Sequence, residues 1–231
     1  IQVIKHIRNK GYGAALKTGI RAAQYDHVAI IDADGTYPAD ALPSMLEKAG
    51  DYDMVVGARI QPNAHIPTIR KPAKWVLRVL AGYLAGQTIP DLNSGLRVMK
   101  KSVVERFFYI LPSGFSFTTT ITLSMLCNDY LVEYHPIDYF KRVGKSKIRP
   151  VDAYHFFLLI LRTIVYFNPL KIFLPIGALF FITGFGKLVY DIFIGNVSET
   201  ALLGIEGGLL LWGIGLLSDQ IAKVGLHLRQ E

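Results

Sequence analysis

Cysteine is almost missing from this chain: Cys127 is the only one in 231 residues. A single thiol excludes an internal disulfide and a cysteine-built metal centre, and it suits a reducing compartment. Charge is thin as well. Only 19% of residues are Asp, Glu, Lys or Arg, against 51% hydrophobic, which places the chain between a soluble domain and a full membrane protein. The charge that is present leans one way, with 25 Lys and Arg against 18 Asp and Glu. A basic balance admits a nucleic acid, an anionic membrane or a phosphorylated substrate, and the positions of the cations have to choose. There is no leading Met and no signal pattern with a basic flank before an apolar run. Ile1-Gln2-Val3-Ile4 reads as part of a strand cut mid-element, so the natural chain is expected to begin earlier.

Up to about residue 150, strand-like and helix-like pieces alternate. Gly13 to Ala23 is rich in Ala with helical spacing, His27 to Ile31 is a short apolar run, Ala39 to Ala49 is helical, and Met54-Val55-Val56 is a second run ending at Gly57. Alternation of this kind predicts an α/β domain with a mostly parallel, Rossmann-like sheet. Ligands of such sheets sit at the carboxyl ends of the strands.

After Val151 the character changes. Residues 151–170 form an apolar, aromatic helix broken by Arg162 and Thr163 and stopped by Asn168-Pro169. Two longer apolar runs follow, at about 172–194 and 201–226. Each reaches the roughly 20 residues needed to cross ~30 Å of hydrocarbon. The competing account is a pair of buried core helices. Lys141, Arg142, Lys145, Lys147, Arg149, Arg162 and Lys171 precede the first run, the connector 195–200 has no Lys or Arg, and Lys223 and Arg229 close the second. That asymmetry predicts a hairpin in an integral membrane protein, with the first domain and both termini cytoplasmic. Lys187 and Asp191 are spaced to pair on one helix face. Gly204 and Gly208 have close-packing spacing, within one chain or between copies in a homo-oligomer.

The chemistry concentrates where runs end. Asp32-Ala33-Asp34 follows the first run directly, so both carboxylates can converge on one point. They form either a polar turn with Gly35 or a site for Mg²⁺ or Mn²⁺, which takes one or two carboxylates plus substrate phosphate oxygens. Asn9-Lys10-Gly11-Tyr12-Gly13 opens a helix, where exposed N–H groups attract anions; a plain loop explains it equally well. Gly57-Ala58-Arg59 puts a guanidinium suited to phosphate at the end of the next run. Asp91-Leu92-Asn93-Ser94-Gly95-Leu96-Arg97 offers another acid in a turn, and Arg142-Val143-Gly144-Lys145-Ser146-Lys147 gathers three cations before the membrane part. Lys71 to Gly86 carries Trp75, Val76, Val79, Leu80, Tyr83 and Leu84 at helical spacing, with Lys71, Lys74 and Arg78 opposite. It is either a basic amphipathic helix lying in a membrane interface or an ordinary surface helix covering the sheet. Val103 to Leu111 is a second candidate of the same kind.

This ordered series, with Phe115-Ser116-Phe117-Thr118-Thr119 and Lys145-Ser146-Lys147-Ile148, resembles the dolichol-phosphate-mannose-synthase-like branch of family 2 glycosyltransferases. So does a C-terminal hairpin after the catalytic domain, a feature of bacterial polyisoprenyl-phosphate glycosyltransferases. The resemblance covers essentially the whole chain. It implies a type A glycosyltransferase fold and an inverting, divalent-metal-dependent transfer of a sugar from a UDP- or GDP-linked donor to a polyprenyl phosphate. It assigns metal binding to Asp32 and Asp34, with nucleotide-sugar contacts from these two, Gly11 and Arg142. Asp91, with Asp34, takes the catalytic role. Arg59, Arg70, Ser146 and Lys147 fall to the lipid phosphate. Many relatives have Gln where Thr36 stands, and the family's Pro-x-Tyr-Asn-Glu-like opening segment is absent, as is the acidic strand end that follows it. A processive polysaccharide synthase would need more membrane helices and a Gln-x-x-Arg-Trp-like motif, and the chain has neither. A non-catalytic membrane scaffold built on the same fold is the other alternative. A nucleic-acid partner is not expected, because the cations cluster beside apolar segments and not along an open aromatic groove.

Overall fold

The computed structural model describes residues 2–60, 71–114, 116–140 and 150–227. The chain divides into two compact units, Ile1–Ile160 and Leu161–Glu231.

In the first unit, residues 2–10 form no regular element, so the strand expected at the N-terminus is not found. A strand needs a ladder partner, and among the described residues none pairs with it; Val3 and Ile7 are exposed. Helix α1 (Tyr12–Ala22) starts at Gly11, whose φ of 94° is a left-handed conformation that suits glycine. The Lys101 ammonium donates to the Ala23 carbonyl just past its C-terminus, at 2.7 Å. Strand β1 (His27–Ile30) follows. A short 3₁₀ turn, Ala39–Ala41, then leads into α2 (Leu42–Lys48), whose first turn accommodates Pro43 because that N–H has no helical partner. After these come β2 (Met54–Ala58), α3 (Lys71–Ala85), β3 (Arg97–Lys100), α4 (Lys101–Arg106), α5 (Phe117–Cys127) and β4 (Val132–Pro136). The stretch read as a second interfacial helix stops as α4 at Arg106. Val103, Val104, Phe107 and Leu111 are buried there, so its apolar face covers the core and not a membrane.

The sheet order is β1-β3-β2-β4. Strands β1, β2 and β4 run the same way, and β3 runs against both its neighbours. The expectation of a mostly parallel sheet therefore needs one correction, because the central pairings are antiparallel. The cause is the path of the chain: after α3 it returns to the carboxyl ends of β1 and β2, so β3 has to enter the sheet from that end. Arg97 opens β3 opposite both Ile30 and Val56. Strand β2 is buried along its whole length, and Val55, Leu96 and Val98 pack with Tyr37, Met45, Ala49 and Ile137 on one side. Helix α5 is also buried despite its Thr-rich sequence. Thr120, Thr122 and Ser124 return their hydroxyls to the carbonyls four residues back, at 2.7–2.9 Å, which satisfies them without water.

Helix α6 (Pro150–Phe167) ends at Asn168-Pro169, as the sequence predicts. Helices α7 (Leu170–Ile194) and α8 (Glu199–His227) form an antiparallel hairpin in the second unit. Their apolar stretches have mean hydropathies of 1.9 and 1.7 and are only 11% and 17% buried, which separates them from core helices of a soluble fold. Backbone contact replaces side-chain burial here. A Cβ on Gly204 would lie 2.7 Å from the Gly184 Cα, and one on Gly208 would lie 2.7 Å from the Gly177 carbonyl oxygen. The Trp212 indole N–H donates to the Leu174 carbonyl at 3.1 Å, so it is not left unsatisfied in an apolar layer. Lys187 and Asp191 pair at 2.5 Å as their spacing predicts, and Asp191 also accepts the Ser198 N–H at 3.0 Å where the chain turns into α8.

The small-residue contact predicts a graded result. Gly204→Val should open the α7–α8 contact and lower the unfolding midpoint of the detergent-solubilised protein, as overpacking of about 1–3 kcal/mol does. Gly213→Val should leave it unchanged, because nothing lies within 4 Å of a Cβ there.

Candidate active site

Three segments reach the same end of the sheet: the turn after β1, the end of β2, and the turn that leads into β3. The register carries them there, since Ile30 and Val56 both face Arg97. Strand β4 adds a fourth. Its last residue pairs with Ala58, and beyond it the Phe140 N–H donates to the Thr36 carbonyl at 3.0 Å.

On one side stands the acidic pair. The Tyr12 hydroxyl donates to Asp32 Oδ1 at 3.0 Å. Burial raises the Tyr12 phenol, and the Asp32 charge raises it further, so it stays a proton donor. Asp34 Oδ1 accepts the Thr36 backbone N–H at 3.2 Å and the Thr36 hydroxyl at 2.5 Å. Thr36 is fully buried. It therefore orients Asp34. Gly95 lies against Asp32 so closely that a Cβ would sit 2.2 Å from Oδ2.

On the other side, Asp91 and Arg59 hold each other. Arg59 donates from Nε to Oδ2 at 2.7 Å and from Nη2 to Oδ1 at 2.8 Å. The backbone N–H groups of Arg59 and Asn93 complete the set at 3.1 and 3.2 Å. A carboxylate has about four lone-pair sites, and all four of these are used. Burial alone would raise the Asp91 carboxyl. The Arg59 hydrogen bonds and charge, with the two backbone donors, outweigh it and hold the carboxyl below the ordinary aspartate value. Burial likewise works against the Arg59 charge, but Asp91 more than restores it. The guanidinium carbon lies 5.1 Å from the centre of the Tyr139 ring, which packs edge-on against Tyr37.

The structure thus brings four of the sequence candidates, Asp32, Asp34, Arg59 and Asp91, to one sheet end. Gly11 is placed through its neighbour Tyr12. A Cβ on Gly11 would meet the Ser113 carbonyl oxygen at 2.5 Å, its own N–H donates to Asn9, and the Ala14 N–H donates to Ser113. These two amides at the start of α1 are engaged within the protein. Arg70, Arg142, Ser146 and Lys147 lie outside the described residues. Sequence reasoning did not find Tyr12, Tyr37, Tyr139 or Asn93. Tyr12 stands between the two glycines that open α1 and Asn93 lies inside the Asp91 turn, whereas Tyr37 and Tyr139 carry no local signal.

The donor chemistry suits a hard divalent cation. Among the described residues no group of three or more His, Cys, Asp or Glu could hold a metal alone. Two carboxylates braced by Tyr12 and Thr36 match the habit of Mg²⁺ or Mn²⁺, which completes its shell with water and substrate phosphate.

Residues 1–108 match the family model of glycosyl transferase family 2, and residues 168–224 match that of the GtrB C-terminal hairpin. Residues 1–108 thus carry a glycosyl transferase family 2 match and residues 168–224 a GtrB-type hairpin. The chain is 30% identical over 143 residues to the dolichyl-phosphate hexose transferase of Haloferax volcanii, covering 61% of this chain and 62% of that one. It is 26% identical to the undecaprenyl-phosphate mannosyltransferase of Micrococcus luteus over 64% of this chain and 65% of the relative. In both cases the match spans less than two thirds of the relative. With the SfII prophage-derived bactoprenol glucosyl transferase of Shigella flexneri it shares 27% identity over 96% of this chain and 74% of the relative. The glucosyl-3-phosphoglycerate synthase of Mycobacterium tuberculosis, solved with Mn²⁺, UDP and phosphoglyceric acid, superposes with a TM-score of 0.53. It is 16% identical and covers 69% of this chain and 56% of that one. That likeness supports the type A glycosyltransferase fold.

The Arg59–Asp91 pair predicts a stability profile. Its depressed carboxyl contributes stability that is complete above the ordinary carboxylate range near pH 4 and is lost as pH falls through the lower folded value. Asp91→Asn should destabilise the protein by about 3 kcal/mol at neutral pH, because a buried guanidinium loses its partner. It should also flatten the acid limb of the unfolding curve relative to wild type.

Proposed function

We propose that this chain transfers a sugar from a nucleotide-diphosphate sugar to a polyprenyl phosphate at the cytoplasmic face of a membrane, inverting the anomeric carbon with the help of Mg²⁺ or Mn²⁺. The observation that carries the reading is the meeting of a braced acidic pair and a clamped arginine at one sheet end, in a chain that also bears a membrane-length hairpin. The names of the relatives support it, since they act on dolichyl, undecaprenyl and bactoprenol carriers.

An oxygen of the lipid phosphate attacks the anomeric carbon, the bond from that carbon to the diphosphate breaks, and the nucleoside diphosphate leaves. Asp32 and Asp34 would hold the cation, which when bound would supply charge neutralisation for the leaving diphosphate. Gly11 serves the nucleotide side by keeping Tyr12 within reach of Asp32. A phosphate monoester has a second pKa of about 6, so the acceptor is largely dianionic at neutral pH and needs no strong base. Asp91, with every lone pair engaged, acts by fixing Arg59. Its Nε and Nη2 edge faces the carboxylate, which leaves Nη1 as the donor for the acceptor phosphate. Arg70, Ser146 and Lys147 add to the lipid-phosphate side, and Arg142 to the diphosphate.

Helix α3 supports a membrane approach for the acceptor. Trp75, Val79 and Tyr83 are exposed at four-residue spacing, and Arg78, expected on the opposite side, is exposed beside them. Leu80 is half-buried, so the outward stripe lies one residue from where the sequence pattern puts it. The basic run before α7, the connector without Lys or Arg, and the cations after α8 favour cytoplasmic ends. Any homo-oligomer would use the outer faces of the hairpin, because Gly204 and Gly208 face α7 of the same chain.

Two experiments test this. Protein reconstituted in lipid with undecaprenyl or dolichyl phosphate is given labelled UDP- and GDP-sugars with Mg²⁺ or Mn²⁺. Metal-dependent label on the lipid, lost in Asp34→Ala, is expected; folded protein that labels no lipid from any donor would leave the scaffold reading in its place. The paired substitution Trp75→Asp and Val79→Asp should raise KM for the long-chain acceptor several-fold while nucleotide affinity stays unchanged. Equal loss of both would show that α3 serves the core instead.

A further inference from the structure

Among the described residues Arg97 heads the large side chains that are completely buried, and no ion pair is formed by it there. Its Nε donates to the Ser94 carbonyl at 2.8 Å and its Nη2 to the Leu92 carbonyl at 3.0 Å. Nη1 donates to the Thr122 hydroxyl of α5 at 2.6 Å and lies 3.4 Å from the Met54 sulfur. Among the described residues no carboxylate comes within ion-pair distance; the hydrogen-bond partners are neutral, and burial outweighs the more distant Asp91 charge. A buried guanidinium held this way is expensive, and an apolar residue in its place would pack at lower cost. Packing alone does not account for it.

What it grips does. Both carbonyls belong to the turn 91–96, and Asp91, Asn93, Ser94 and Gly95 of that turn tie it to the strands and residues around the site. Asp91 fixes Arg59. The Asn93 N–H donates to Asp91, and its side-chain oxygen accepts the Thr119 hydroxyl of α5. Ser94 donates to the Gly57 carbonyl at 2.5 Å. The Gly95 N–H donates to the Tyr37 hydroxyl at 2.7 Å, and its Cα lies against Asp32. One seven-residue segment therefore touches the acidic pair at one end and the arginine clamp at the other.

We infer that Arg97 is a positioning residue that locks the 91–97 turn, so that the donor side at Asp32 and the acceptor side at Arg59 are held in one fixed relation. This rests on the proposed transfer reaction for its kinetic consequences but not for its binding consequences. The planar fork is essential to the task, because two carbonyls and a hydroxyl are met in three fixed directions. A lysine ammonium keeps the charge and loses that geometry.

The test uses the full chain in lipid and compares wild type with Arg97→Lys, Arg97→Gln and Thr122→Val. The last removes one acceptor of the fork with little change of volume, and so guards against a misfolded Arg97 variant. Three quantities are read: affinity for UDP or GDP with Mn²⁺ in the absence of acceptor, KM for undecaprenyl phosphate, and amide exchange of residues 92–97. In Arg97→Lys both constants should worsen by about tenfold, the loss expected when a charged hydrogen bond is removed, with faster exchange confined to the turn. Thr122→Val should shift the same quantities less. Arg97→Lys with wild-type constants and a merely lower unfolding midpoint would overturn the inference, as would an effect on one side of the site alone. If wild-type protein binds nucleotide and Mn²⁺ but labels no lipid, the transfer reading fails. Arg97 is then judged on nucleotide affinity and exchange, where unchanged values in Arg97→Lys would refute it.

Discussion

The pairing of β3 between β1 and β2, in the opposite direction to both, is the constraint on which the site depends. With Arg97 facing Ile30 and Val56, the chain can reach β3 only by passing over the carboxyl ends of its neighbours. The turn 91–96 is thereby laid across the same sheet end that carries Asp32, Asp34 and Arg59. A parallel β3 would have entered from the far end and carried Asp91 away from them. The rule that α/β ligands gather at carboxyl strand ends applies here through one strand that runs the wrong way.

Charge balance at that end follows a division of labour. Asp91 is saturated by four N–H donors and paired with Arg59, which makes it a fixed carboxylate and a poor proton acceptor. Asp32 and Asp34 receive hydroxyl donors that orient them. An acidic pair oriented by hydroxyl donors is suited to a cation, and an arginine anchored by an acid is suited to an anion. The proposed nucleotide-diphosphate sugar and lipid phosphate are a pair of substrates that need both.

The hairpin obeys a different physics. With apolar surroundings on every side, burial of large side chains gives little net drive for association, and the helices approach through glycine backbones instead. Gly184 meets Gly204 and Gly177 meets Gly208. The polar groups near the helix ends are paired locally, Lys187 with Asp191 and Lys223 with Asp219.

Much of this was readable from residue order alone. The two long apolar runs sufficed to foresee the pair of long C-terminal helices, because a hydrophobic stretch of that length is visible without any tertiary information. Asp32, Asp34, Arg59 and Asp91 were legible because each stands where an apolar run or turn ends, and local pattern records such ends. Residues 97–100 and 132–136 were not legible as strands: four or five residues carry too little periodicity, and their pairing is set by partners some 40 to 80 positions away. The same reason hid the direction of β3, the partner of Asp91, and the role of Arg97. A guanidinium in a sequence is a charge of unknown company. Only the closed sheet decided that Arg59 would meet a carboxylate while Arg97, buried more deeply, would be left to hold two backbone carbonyls and a threonine.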